Sequence, residues 1–241
     1  MEGRLKEADK SQHSTEWANA HSASVLDVMP KEMLYWRRDS FEKLATLQER
    51  LREHPELAQY IEYLNSLERG LRRQAMERIA PLIASLRELD VGRQRELASI
   101  LCRETEVSSG HKLIPHPLRT EFIAPVIRDW MESDPDAAEP RRWTGDLDDL
   151  KRAVELDLSC DRTRWRLIMS ILGYVGFTTH ELPHGYLGDV ETDEDLLILA
   201  GREAQRLIDD ETRAKCLDLI REEQSEIDAY KQTRHNPKDS W

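Results

Sequence analysis

Apolar residues recur at three- and four-residue spacing along most of this 241-residue chain, and that period constrains its fold more than any other feature. Phe41, Leu44, Ala45, Leu47 and Leu51 form one stripe, with Ser40 placed to cap it. His54-Pro55 stops it, because the residue before proline is driven out of the α region. Leu57, Tyr60, Ile61, Leu64 and Leu67 form a second stripe. Beyond Gly70, Ala75, Ile79, Leu82, Ile83, Leu86 and Leu89 form a third, with Pro81 predicting a kink or restart. Asp90 caps a short helix ending near Arg103.

The second half repeats the pattern. Residues 118–131 read as a helix bent at Pro125, and Leu147, Leu150, Val154 and Leu156 give an apolar face to 146–157. A helix from Arg162 to Tyr174 is closed by Gly176, and two more run over 193–208 and 211–231. Aromatics are 6% of residues, and Gly and Pro number ten each, too little turn chemistry for a many-stranded sheet. The expectation is an all-α helical bundle or irregular array of about eight helices without significant sheet. It comprises a polar tail (1–28), an antiparallel section (29–103), a linker loop (104–117), an acidic helical section (118–232) and a polar tail (233–241). A second loop falls at 133–145.

Charge is distributed unevenly. Residues 1–120 carry 19 Lys/Arg against 19 Asp/Glu, and 121–241 carry 16 against 28, which is the whole formal charge of -12. An acidic surface repels nucleic acid and anionic lipid and attracts a cationic protein face. Arg69, Arg72, Arg73 and Arg78 alternate with Glu62, Glu68 and Glu77, which predicts a salt-bridged solvent face. No apolar run approaches the roughly 18 residues of a membrane span, and the first twenty residues lack a signal-peptide pattern. Cys102, Cys160 and Cys216 are odd in number and widely spaced, which suits a reducing compartment. The expected location is the cytoplasm.

Four motifs bear on function. His180-Glu181-Leu182-Pro183-His184 matches the H-E-x-x-H string of zinc hydrolases, but Pro183 interrupts the helix on which the two histidines converge. A metal-dependent hydrolase using His180, Glu181 and His184 is the alternative function; a cluster of His111, His116, His180 and His184 needs two loops to meet. Asp189, Glu191, Asp193 and Asp195 alternate as in a calcium loop, yet Glu194 and Ala200 occupy the positions that need Gly and a bidentate Glu. No phosphate-binding glycine loop or nucleophile elbow is present. Neither a metal site nor a cofactor is expected.

The fourth is the stretch Leu150–Asp157 followed by Trp165, Leu167, Ile168 and Gly176. It resembles a tetratricopeptide junction, in which a helix ending A-x-x-L-D leads into one opening with Trp, with Gly eleven residues on. Met169 stands in place of the family's small glycine position and Leu158 in place of its proline. No second copy lies at the period of about 34 residues. The resemblance implies helix-hairpin packing and, as a further alternative, a helical adaptor.

These observations favour a non-catalytic protein-interaction protein whose acidic C-terminal half docks on a basic partner surface, as an immunity or antitoxin-type inhibitor would. Trp143, beside Arg141 and Arg142 in a loop, supplies a candidate anchor. Asp146, Asp148, Asp149, Asp189, Glu191, Asp193, Glu194 and Asp195 supply the charge. Trp17, Trp36, Trp130, Trp165 and Trp241 are further candidate contacts.

Overall fold

Gly70 takes a left-handed backbone, with φ of 72°, and ends a helix with two specific bonds. Its own N–H reaches the Leu67 carbonyl at 2.9 Å and the Leu71 N–H reaches Ser66 at 2.8 Å, the paired closure of a Schellman motif. Terminators of this kind divide a computed structural model that describes residues 38–107, 113–182 and 184–235. Among the described residues the chain is helical and contains no strand. Trp17, Trp36, Trp241 and His111 lie outside them. The chain divides into two units at Thr144–Gly145.

The first unit spans Met33–Thr144. Its helices are α1 (Arg38–Leu51), α2 (Ala58–Glu68), α3 (Arg72–Glu77), α4 (Ile79–Arg87) and α5 (Val91–Val107). A continuous rod follows, made of α6 (His116–Leu118), a π-helical turn (Arg119–Ile123) and α7 (Ala124–Ser133), and then short α8 (Ala138–Arg141). Leu44, Leu47, Leu51, Tyr60, Leu64, Ile79, Leu82 and Leu86 bury the apolar stripes in one core.

Two details of α1 differ from expectation. Ser40 lies within the helix, and Gln48 turns inward where Ala45 faces solvent, since positions 44, 47, 48 and 51 share the buried face. Pro81 falls in the first turn of α4, where its missing N–H costs nothing, so the chain restarts at Ile79. The stretch 104–117 lies inside this unit: α5 runs through Val107, and Leu113 and Ile114 are buried in the core. The buried Tyr60 hydroxyl donates to the Leu113 carbonyl at 3.0 Å. Glu56 receives two bonds of 2.9 Å from Arg93, which hold its carboxyl down at about 2.

The other unit includes residues 145–241, and its helices are α9 (Leu147–Leu156), α10 (Asp161–Thr179), α11 (Val190–Ala204) and α12 (Asp210–His235). Leu150, Val154, Leu167, Ile168, Ile171, Val175, Leu197, Ala200, Ile220 and Ile227 form its own core. Helix α10 passes through Gly176 to Thr179, beyond the expected stop. Helical geometry persists because Val175, Thr178 and Thr179 are buried there, and packing outweighs the modest intrinsic cost of glycine. None of the helices described is long and apolar enough to cross a membrane.

Candidate functional site

Most of the net charge falls on one side of this division. Residues 145–241 carry 13 Lys/Arg against 22 Asp/Glu, a net of -9, whereas 33–144 carry 18 against 19. The acidic residues expected to meet a partner fall into two groups at helix starts.

Asp146 caps α9, accepting from the N–H groups of Asp148 and Asp149 at 2.9 and 3.1 Å. Asp148 is exposed and pairs with Lys151 at 3.1 Å, and Asp149 is half-buried. Asp189 caps α11 in the same way, taking the Thr192 N–H at 2.9 Å and its hydroxyl at 2.6 Å. Those two bonds, the hydroxyl first, hold the Asp189 carboxyl below its ordinary range.

Asp193 does not belong to the surface. It is 0% exposed, with one carboxylate oxygen accepting from Thr178 Oγ1 at 2.5 Å and from the Tyr186 hydroxyl at 2.6 Å. Gly188 lies so close that an added Cβ would stand 2.6 Å from Thr178 Cγ2. The Tyr186 ring stacks on Tyr230 at 5.2 Å, and the Leu187 N–H bonds the Thr178 carbonyl at 3.1 Å. Asp193 therefore ties the stretch Tyr186–Asp189 to α10 and α11. Burial pushes its carboxyl above the ordinary aspartate range, and the same effect raises Glu223, which accepts from Thr179 at 3.2 Å.

The exposed acids of this group are Asp189, Glu191 and Asp195, with Glu194 half-buried beside them. Lys231 of α12 bonds both Glu194 oxygens, at 2.7 and 2.9 Å, and is held above its ordinary range by that contact and by the nearby Asp228 and Glu191. Glu191, Asp195 and Ile198 succeed one another at i, i+4 and i+7 on the solvent face of α11, and Ile198 is 68% exposed. Sequence reasoning missed Ile198, which reads as one more apolar residue of a helix. Its signal was the offset from the buried face, Leu197 and Ala200.

Trp143 belongs to the first unit. It is half-buried against that core, and its indole N–H donates to Glu139 at 3.1 Å, so it is a tryptophan folded back rather than one presented to solvent.

The His180–His184 string falls just past the end of α10. His180 is the residue after the helix, its Nδ1 faces the Phe177 carbonyl and its Nε2 lies 3.1 Å from Glu181. Among the described residues no group of three or more potential ligands converges on a metal position, and Asp189–Asp195 forms a helix start rather than a calcium loop. The tetratricopeptide-like stretch forms α9 and α10, with Trp165 packed on the core. Among the described residues this unit forms two helical hairpins, α9–α10 and α11–α12, where a repeat groove needs at least three repeats.

A second polar centre lies at the other end of α10. Arg164 and Glu203, both buried, stand 3.4 Å apart, and Asp161 accepts from Arg164 at 3.2 Å and from the Ile208 N–H at 2.7 Å. This network pins the α11–α12 connection. No family model, no curated protein and no solved structure matches the chain.

Proposed function

We propose that the chain is a non-catalytic protein-interaction protein whose acidic unit docks on a basic partner surface. The observation that carries this reading is the exposed row Glu191–Asp195–Ile198 on α11, an aliphatic side chain in solvent with carboxylates one and two turns before it. A single apolar anchor with a charged rim is the arrangement in which desolvation supplies affinity and charge supplies steering. The row stands on a helix held from two sides, by Lys231 to Glu194 and by Asp193 to Tyr186, so it is presented with little entropy left to lose. Shielding the basic face of a toxin-like protein is one form this activity takes.

Affinity capture from the source cell's lysate tests the proposal. The wild-type chain is expected to retain a basic protein at low salt and release it at high salt, and the Glu191→Lys/Asp195→Lys variant to retain none. Equal capture by both, or capture insensitive to salt, contradicts it.

A further inference from the structure

The segment 69–87 holds five arginines and one glutamate, a net of +4 in a chain of -12. Expected salt bridges are largely missing from it. Arg73 pairs with Glu77 at 3.6 Å, but Arg69, Arg72 and Arg78 are exposed and have no carboxylate partner among the described residues. A salt-bridged face would have satisfied them internally, and this one leaves the positive charge facing outward.

Beside that charge lies a groove of about 290 Å³. Ile79, Ala80, Ile83 and Ala84 of α4 line it with Met76 and Pro117; Ile79 and Ile83 are buried at its base, and Met76, Ala80 and Ala84 present its exposed apolar surface. Arg87 and Glu121 close the far end, where the Arg87 guanidinium donates to the Glu121 carbonyl at 2.6 Å. Ala80 and Ala84 are small and exposed, so a second helix can approach the α4 backbone closely. Met76 is 38% exposed at the other end, and Arg72 and Arg73 stand four and three residues before it on α3, on the same side of that helix. Arg87 thus lines the groove itself, and Arg72 and Arg73 lie one helical turn before Met76.

We propose that this groove receives an acidic amphipathic helix from a partner protein, its apolar stripe on α4 and its carboxylates on Arg72, Arg73 and Arg87. The charge sign selects an anionic occupant, and the apolar surface selects one with aliphatic or aromatic side chains. Nucleic acid meets the first condition and not the second, since a phosphate backbone has nothing to lay on Met76, Ala80 and Ala84. A membrane surface does not fit a concave site, and the chain's net charge repels anionic lipid. The helix-in-groove mode satisfies both conditions. This surface belongs to the first unit, so it is independent of the acidic row on α11.

The test is a selection of short helical peptides, displayed as an unbiased library, against the full-length chain. Selected peptides are expected to converge on apolar residues at i, i+3 or i+4 and i+7 flanked by Asp or Glu. They should shift the labelled methyl signals of Met76, Ile79 and Ile83, and lose about tenfold in affinity in Arg72→Glu/Arg73→Glu and in Ala84→Arg. Both variants change exposed positions, and an unchanged helical signal shows that each folds. Convergence on basic peptides, or shifts confined to residues 145–235, overturns the proposal. So does a shift of the same three methyls by single-stranded DNA or by phosphatidylserine vesicles. Concentration-dependent shifts without peptide would assign the groove to a second copy of this chain, which also overturns it.

Discussion

Asp193 and Glu56 are carboxylates with opposite linkage to pH, and the contrast follows from what surrounds each. Glu56 lies against a guanidinium that favours its charged form, so its folded value sits at about 2, below the ordinary 4.5. Its contribution to stability is present above pH 4.5 and is lost as pH falls toward 2. Asp193 is buried with two hydroxyl donors and no cation, so its folded value lies above 3.8. The native state takes up that proton first, so this group adds stability as pH falls through its folded value, and the gain is complete below 3.8. In Asp193→Asn the gain is absent. Stability measured by urea unfolding across the acid range should show the wild type improving relative to Asp193→Asn as pH falls, and losing its advantage over Arg93→Ala over the window set by Glu56.

The burial of Asp193 was not legible in the sequence. An alternating run of acids reads as a solvated helix start, and Asp189 and Glu191 behave that way. Asp193 departs because Thr178 and Tyr186, fifteen and seven residues away, bring donors that only the folded loop places there. The free charge of Arg69, Arg72 and Arg78 was hidden for a related reason. Helical spacing to a glutamate permits an ion pair but does not enforce one, and exposed pairs of this kind contribute only about 0–1 kcal/mol.

At the scale of elements, periodicity was a good guide where burial decides the outcome. Leu44, Leu47 and Leu51, Tyr60 and Leu64, and Ile79, Leu82, Ile83 and Leu86 are buried as their spacing implies. Ends were harder to read, because α10 continues past Gly176 on the strength of tertiary packing. The rod from His116 to Ser133 shows how a proline is absorbed. In a regular helix the N–H of residue 125 would meet the Glu121 carbonyl, but Pro125 has none to give. The chain widens into a π-helical turn just before it, and Arg87 takes the Glu121 carbonyl at 2.6 Å. Arg87→Ala should therefore destabilise the protein by about 1 kcal/mol. Combined with Pro125→Ala, which restores an intrahelical donor, its cost should fall; additive losses in thermal or urea unfolding would contradict this coupling.

At the scale of the molecule, two hydrophobic cores without a shared member underlie the division at Thr144–Gly145. Residues 145–241 expressed alone should unfold cooperatively with a helical circular dichroism spectrum, and a disordered spectrum would refute an independent core. Residues 145–241 also carry nine of the twelve net negative charges. A cationic partner is thus proposed for this unit and an acidic helix for the first.

The central claim is that the acidic row on α11 binds a basic protein through both charge and Ile198. The direct measurement is the equilibrium affinity of the captured partner for the wild type, Glu191→Lys/Asp195→Lys and Ile198→Asp, from about 50 to 500 mM salt. Affinity should fall steeply with salt for the wild type, far less steeply for the lysine variant, and by about tenfold or more at every salt concentration for Ile198→Asp. Three superimposable salt curves would place the binding surface elsewhere and contradict the account.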